Sequence, residues 1–140
     1  MPEPPTAEQC EREIRHMHIV IRDWLAGSLP DDDTAFAGFR DVLAPAFEII
    51  YPSADRQPRA DLLDLFRDAH GMQADTGFEI AIREVRDRFT LGDARVLTYE
   101  EWQTTPEHTD ARLTTVIFRP DPEQRNGVAW LHVHETALAT

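Results

Sequence analysis

The sequence predicts an α+β fold in which helices cover one face of an antiparallel sheet. Apolar residues recur at three- and four-residue steps in the first half of the 140-residue chain, whereas the second half alternates with a two-residue period. Apolar residues make up 41% of the chain and charged residues 29%, which is typical of a folded domain. We therefore expect one domain over residues 1–140, with only the proline-rich residues 1–5 disordered.

A long amphipathic helix is predicted first. Thr6 and Gln9 have the spacing of a capping box, in which each side chain binds the backbone N–H of the other residue. An apolar stripe follows, and Gly27 and Pro30 end the helix. Cys10 lies on this stripe and is predicted to be a small buried apolar residue.

Two shorter helices and a strand complete the first half. The carboxylates of residues 31–33 favour the start of a second helix, which Pro45 is expected to end. Residues 47–51 are aromatic and β-branched and predict a short strand. Pro58 suits the first turn of a third helix, and Gly71 is expected just beyond its end.

The second half predicts four strands. In its first strand the apolar alternation changes phase near Arg83 and Glu84, which indicates a β-bulge. Short turns join the first three strands, which predicts an antiparallel meander, and a longer loop over residues 120–127 leads to the last strand. The second, third and last strands are predicted at residues 95–105, 110–119 and 128–138.

The expected strand register divides the side chains between two faces. A final loop centred near residue 123 would place Arg112 beside Glu135 and Val116 beside Leu131. Both faces then hold apolar residues, so we expect helices to cover one face and a second copy of the chain to cover the other. The face away from Arg112 would carry Glu100, Trp102, Trp130, His132 and His134.

Charge and composition exclude several classes of partner. The chain has 14 arginines, no lysine and 26 acidic residues, for a net charge of −12. Such an acidic chain is poorly suited to nucleic acid or to an anionic membrane surface, and no apolar run approaches the roughly 20 residues of a membrane span. The first residues lack the basic and apolar regions of a signal peptide, so we expect a cytoplasmic protein.

The order of elements and the final strand resemble the nuclear-transport-factor-2-like superfamily. The strand reads Trp-Leu-His-Val-His-Glu-Thr over residues 130–136 and is most similar to SnoaL-like members and to the calmodulin-dependent kinase association domain. Thr136 stands where those members carry a second histidine. The resemblance implies a cone-shaped curved antiparallel sheet packed on three N-terminal helices. It also implies a pocket between them and a homodimer through the outer sheet face.

The segment from Tyr99 to Gln103 contains two adjacent carboxylates, which must point to opposite faces of a strand. One functional interpretation is a carboxylate in an apolar pocket, where burial raises its pKa and suits it to proton transfer. The candidate catalytic residues are then His134 or Glu100 for proton transfer and Tyr99 as hydrogen-bond donor. The candidate ligand-binding residues are Trp102, Trp130, His132 and Arg112. The alternative interpretation is an ion pair of Arg112 with Glu101 or Glu135 at a rim or dimer contact.

No metal or cofactor is predicted. His132 and His134 share a strand face, but a metal site needs further ligands that converge on them, and core or interface histidines are commoner. His16 and His18 are two apart on a helix and do not face each other. The sequence contains no phosphate-binding glycine loop, dinucleotide fingerprint or serine nucleophile elbow.

Two functions therefore stay open at the level of sequence. In the first, the chain has a pocket for an apolar or aromatic metabolite and is a binding protein or, by analogy with the superfamily, a cofactor-free isomerase, dehydratase or hydrolase. In the second, it is a non-catalytic dimerisation or assembly module, as the missing second histidine and the apolar outer sheet face suggest. The fold by itself does not distinguish them.

Overall fold

A computed structural model describes residues 2–140, and Met1 lies outside the described residues. Three helices, α1 to α3, pack on a curved and unclosed sheet of six strands, β1 to β6. The helices are Ala7–Ala26, Asp33–Arg40 and Arg59–Asp68. The strands are Leu43–Ile50, Arg56–Pro58, Glu79–Leu91, Ala94–Thr105, His108–Pro120 and Val128–Ala137. The predicted α+β architecture is confirmed.

The sheet is mixed, although its main part is the predicted meander. The strand order is β2-β1-β6-β5-β4-β3, and strands β3 to β6 pair antiparallel in sequence order. Strand β1 pairs parallel with β6, a pairing that the predicted antiparallel sheet did not include. Strand β1 is far from β6 in sequence, and no turn signal reveals such a pairing.

The predicted start and end of α1 are confirmed. Thr6 and Gln9 form the capping box, with Thr6 Oγ1 accepting from the Gln9 backbone N–H at 3.1 Å and Gln9 Oε1 accepting from the Thr6 backbone N–H at 2.8 Å. Gly27 ends the helix at φ +77°, a left-handed conformation that glycine adopts without steric cost. The apolar stripe of α1 faces the inner side of the sheet and buries Cys10, among others.

Proline positions account for two local corrections. Helix α2 ends at Arg40, and Pro45 lies inside β1 instead of ending the helix. The β1–β6 pairing is irregular between Leu43 and Glu48, which accommodates a proline that cannot donate a hydrogen bond. Pro58 is the N-cap residue of α3, one position before the predicted first turn.

The predicted bulge in β3 is confirmed. The β3–β4 register breaks between Arg83 and Arg86, and Glu84 has φ +55°. A second break lies between Asp87 and Phe89. Bulges increase the local twist of a strand, and here they curve the sheet around the helices.

The predicted register of β5 and β6 is wrong by two residues. Arg112 lies opposite Ala137, and Glu135 lies opposite Thr114. The pairing also slips between Ile117 and Phe118, because Leu131 has no partner of its own on β5. This bulge places Trp130 on the inner face, whereas strict alternation had placed it on the same face as His132.

The start of the chain is held against the sheet. Pro5 is buried, and its carbonyl oxygen accepts a hydrogen bond of 2.6 Å from Arg95 Nε. Within residues 2–140, no helix has the length and apolar character needed to cross a bilayer.

Candidate functional site

A cavity of about 200 Å³ lies between the inner face of the sheet and helices α1 and α3. It exceeds the roughly 150 Å³ of an engineered protein cavity that binds benzene. Most of its wall is apolar. The apolar lining residues are Met17, Ile21, Leu25, Phe39, Leu43, Phe47, Ile49, Leu62, Phe66, Trp130 and Val133.

One wall of the cavity carries four ionisable side chains that come from four different elements. We call these side chains the polar wall. His18 lies on α1, Glu101 on β4, Arg112 on β5 and Glu135 on β6. The side chains of the three strand residues all point to the inner face of the sheet. Tyr51, Tyr99 and Gln103 complete the lining on this side.

His18 and Glu101 form a buried ion pair. His18 Nε2 lies 3.1 Å from Glu101 Oε1, and His18 Nδ1 lies 2.7 Å from the carbonyl oxygen of Ile14. A carbonyl and a carboxylate both accept hydrogen bonds, so both ring nitrogens donate and the imidazole is protonated. Burial lowers the pKa of His18, but the charge of Glu101 and their hydrogen bond outweigh it and raise the pKa overall.

The carboxylate of Glu101 is fully occupied. Its Oε1 faces His18, and its Oε2 accepts a hydrogen bond of 2.6 Å from Gln103 Nε2. Burial raises the pKa of Glu101, whereas the charge of His18 and the hydrogen bonds from His18 and Gln103 lower it to about 2. Glu101 is therefore ionised, and each of its oxygens already has a hydrogen-bond partner in the protein.

Glu135 is held more loosely. Its Oε1 accepts one hydrogen bond of 3.3 Å from Arg112 Nη1, while Nη2 of the same guanidinium binds Asp110. Burial raises the pKa of Glu135 to about 7, and Arg112 lowers it only in part because the charge of Glu101 opposes ionisation. The Nε of Arg112 is buried and has no hydrogen-bond partner among residues 2–140.

A separate buried carboxylate positions Trp130. Glu13, which is wholly buried, accepts hydrogen bonds from Arg125 Nε at 2.9 Å and Nη2 at 2.8 Å, and from Asn126 Nδ2 at 2.9 Å. It also accepts one of 2.8 Å from Trp130 Nε1. Helix α1 thus binds the loop between β5 and β6 and orients an indole ring that lines the cavity.

The structure brings together three of the residues that the sequence singled out. Tyr99, Arg112 and Trp130 line the cavity. Arg112 and Glu135 do form the ion pair that was the alternative interpretation, but they meet diagonally on the inner face instead of side by side at a rim.

The other four sequence-predicted residues lie on the outer face of the sheet. Trp102 Nε1 donates a hydrogen bond of 2.9 Å to Glu100 Oε1, and both side chains are half-buried. His132 is half-buried and His134 is exposed. None of these residues contacts the cavity. Within residues 2–140, no group of three or more histidine, cysteine or acidic side chains is arranged to hold a metal ion.

Sequence reasoning did not select His18, Glu101 or Glu135 as site residues. A signal for His18 was present, because it follows Ile14 by four residues and precedes Ile21 by three, on the apolar stripe of α1. Treating it only as a partner for His16 missed that position. Glu135 alternates with Val133 on β6, which places both side chains on the same face as Arg112.

Comparison with known proteins places the chain in a family. A family model described as sucrose-6-phosphate phosphohydrolase C-terminal matches residues 10–139. The chain belongs to this family. It is 22% identical over 127 residues to sucrose-phosphatase 1 and 21% identical to sucrose-phosphatase 2, both from Nicotiana tabacum. The alignments cover 90% of this chain, which spans about 30% of the length of those relatives.

Solved structures confirm the resemblance to nuclear-transport-factor-2-like proteins. An NTF2-like protein of unknown function from Pseudomonas aeruginosa is 30% identical with a TM-score of 0.82, and the match covers 94% of this chain and 99% of that one. The CaMKII hub of S. rosetta is 11% identical with a TM-score of 0.69, covering 99% and 100%. An NTF2-like protein of unknown function in nutrient uptake from Rhodospirillum rubrum is 14% identical with a TM-score of 0.61, covering 92% and 95%.

Proposed function

We propose that this domain binds a small molecule in the cavity between the sheet and the helices. The observation that carries the proposal is the polar wall, four ionisable side chains grouped on one side of an otherwise apolar cavity. Pockets for small molecules have this composition, in which apolar surface supplies affinity and a few polar groups set orientation.

Stability alone is a poor reason for the polar wall. Buried ion pairs lose hydration on folding, and apolar residues of similar volume are often at least as stabilising. Glu135 shows this cost directly, because burial raises its pKa to about 7 and Arg112 compensates only in part. Groups with such shifted pKa values beside a cavity are typical of functional sites.

The cavity is suited to a ligand smaller than a sugar phosphate. The tobacco relatives are named sucrose-phosphatases, and a phosphorylated disaccharide is the ligand that this name suggests. The phosphate would meet the carboxylates of Glu101 and Glu135 in the polar wall, and a cavity of about 200 Å³ is too small for a disaccharide. We therefore assign to the cavity a ligand close in size to one aromatic ring.

A catalytic form of this proposal has one proton-transfer group inside the cavity. His18 and Glu101 have all their relevant atoms in hydrogen bonds to each other, to Ile14 and to Gln103. Glu135 is therefore the group that would transfer a proton in a cofactor-free isomerase, dehydratase or hydrolase, with Tyr99 as a hydrogen-bond donor. Glu100 and His134 lie on the opposite face and have no role in this reaction.

A cavity-filling substitution tests the proposal. Val133 is 5% exposed and lines the cavity, so Val133→Phe would place a ring in the space that a ligand needs. We expect the wild-type protein to bind members of a library of single-ring fragments, observed by ligand NMR, and Val133→Phe to lose this binding without loss of thermal stability. Leu65→Phe adds the same ring at an exposed site on α3 and should leave binding unchanged.

Two results would refute the proposal. Either the wild-type protein binds no fragment, or the fragments bind Val133→Phe as well as they bind the wild type. A crystal structure with side chains filling the cavity would have the same consequence.

A second proposal, self-association, rests on the outer face of the sheet. Helices α1 and α3 pack on the inner face, while the outer face presents Leu113, which is 38% exposed, beside the half-buried Trp102 and Ile117. Exposed apolar sheet surface of this kind favours association with a second copy. We propose a homodimer through this face, formed in the cytoplasm, and the hub named among the structural neighbours is an assembly module of the same fold.

A further inference from the structure

We infer that the cavity selects a small organic cation, a ligand in which a protonated nitrogen on an apolar body binds Glu135. The inference rests on the proposed binding function and adds the charge of the ligand to it. Three observations carry it: the balance of charge at the polar wall, the unoccupied oxygen of Glu135, and the aromatic side chains around the cavity.

The polar wall and the residue next to it carry more negative than positive charge. The cations are His18 and Arg112, and the anions are Glu101, Glu135 and Asp110, a half-exposed residue that binds the same guanidinium of Arg112. His18 is neutralised by Glu101, so Asp110 and Glu135 share a single arginine. One negative charge is therefore in excess when Glu135 is ionised. A cationic ligand would compensate it, whereas an anion would be repelled.

One carboxylate oxygen of Glu135 is available to accept a hydrogen bond. Its Oε1 accepts from Arg112 at 3.3 Å, and its Oε2 receives no hydrogen bond from any residue between 2 and 140. The side chain is only 5% exposed, yet it lines the cavity. A carboxylate oxygen that receives no hydrogen bond from the protein is free to accept one from a ligand, and a charged N–H donor makes the strongest bond of this kind.

The surrounding rings favour the same ligand. Tyr51, Tyr99, Phe47 and Trp130 line the cavity together with Glu135. The faces of aromatic rings are electron-rich and attract organic cations, most strongly where water is excluded. A neutral apolar ligand would use the rings alone and would leave Oε2 of Glu135 without a hydrogen-bond donor.

Binding of a cation should be coupled to the ionisation of Glu135. The charged and titratable groups that face it are His18 on α1, Glu101 on β4, Arg112 on β5 and the phenols of Tyr51 and Tyr99. The charge of Glu101 and the hydrogen bonds to Glu101 and Ile14 favour the protonated form of His18. Glu135 therefore releases its proton when the cation binds below pH 7, and affinity falls as the pH falls through its pKa of about 7.

Three isosteric probes test the inference directly. Benzylamine, benzyl alcohol and benzoate share one ring and differ in charge, and all are close to the size of the cavity. Isothermal titration calorimetry at pH 8 should show that benzylamine binds about 10-fold or more tightly than benzyl alcohol, because a hydrogen bond between charged groups contributes this much. Benzoate should bind more weakly than both. At pH 6 benzylamine should bind more weakly than at pH 8, and Glu135 should release a proton on binding. The difference between the heats of binding in two buffers measures this proton release.

The Glu135→Gln variant should bind benzylamine and benzyl alcohol about equally and lose the pH dependence. Glu107→Gln removes the same charge from the exposed turn between β4 and β5 and should retain the wild-type preference. If Glu135→Gln does not fold, the comparison of probes on the wild-type protein still decides the question.

The outcomes separate this inference from the proposed function. If benzyl alcohol binds as tightly as benzylamine at pH 8, or if benzoate binds best, the cavity binds ligands but the charge assignment is wrong. If no probe and no fragment binds, both proposals are wrong.

Discussion

His18 and Glu101 meet across the interface between helix and sheet, with 3.1 Å between Nε2 and Oε1 and both side chains more than nine-tenths buried. The pair is separated by 83 residues in sequence. It is a direct polar contact between α1 and β4, and it forms part of the cavity wall. The pair therefore connects folding of the helix onto the sheet with the geometry of the binding site.

Breaking this pair should be strongly destabilising. His18→Gln and Glu101→Gln each leave the partner's charge buried without compensation, so we expect each to lower the free energy of unfolding by about 3–5 kcal/mol. The double variant should lose less free energy of unfolding than the sum of the two single losses, and the difference, the coupling energy of the pair, should be about 1–3 kcal/mol. Urea denaturation at pH 6 measures all four proteins, and additive losses would contradict the pairing.

The pH dependence of the pair follows from the two pKa shifts. Glu101 has its pKa lowered from 4.5 to about 2, so its contribution is complete above pH 4.5 and is lost as the pH falls toward 2. His18 has its pKa raised from 6.5, so its contribution is complete below pH 6.5 and is lost as the pH rises through the folded value. The His18→Gln variant should therefore differ most from wild type between pH 4.5 and 6.5.

Glu135→Gln should have the opposite effect on stability. The folded pKa of Glu135 is raised from 4.5 to about 7, so this group contributes most stability below pH 4.5 and loses it as the pH rises to 7. Glutamine cannot ionise, and the variant should gain up to about 3 kcal/mol relative to wild type between pH 4.5 and pH 8. Urea unfolding at these two pH values measures the change, and Glu107→Gln should show none.

Glu13 should be essential for the loop between β5 and β6. Glu13→Ala leaves the guanidinium of Arg125 and the indole N–H of Trp130 without their acceptor, so we expect a loss of about 3–5 kcal/mol in the free energy of unfolding. Tryptophan emission should move to longer wavelength as water reaches Trp130. Glu11→Ala removes a half-exposed carboxylate from the same helix and should change stability by less than about 0.5 kcal/mol.

The proposed homodimer can be tested by charge on the outer face. Leu113→Glu would bury two carboxylates in the interface, and we expect a monomer by sedimentation velocity where the wild type is a dimer at micromolar concentration. Leu65→Glu places the same charge at a site on α3 that is 56% exposed and should leave the dimer intact. A monomeric wild-type protein would refute the proposal.

Local patterns in the sequence predicted most of the fold. The capping box of Thr6 and Gln9, the left-handed Gly27 and the bulge at Glu84 follow from interactions between residues close along the chain. The antiparallel meander follows from turns of a few residues, which also act locally. The prediction was incomplete where a distant element decides the structure, as in the parallel pairing of β1 with β6.

The candidate site was only partly predictable for the same reason. Alternation along β4 placed Tyr99 and Glu101 on one face and Glu100 and Trp102 on the other, which the structure retains. Leu131 adds one unpaired residue to β6, and that single insertion moves Trp130 to the inner face. A shift of one residue exchanges the two faces of a strand, and no local sequence pattern marked the extra residue at Leu131.

The sequence alone therefore determined the α+β class, the caps of α1 and the order of the meander, because hydrophobic periodicity and turn chemistry act over a few residues. Only the tertiary structure decided that His18, Glu101, Arg112 and Glu135 converge on one cavity. These side chains come from α1, β4, β5 and β6, and their meeting depends on the curvature of the sheet and on how it packs against the helix. Such long-range packing has no counterpart in the local pattern of residues.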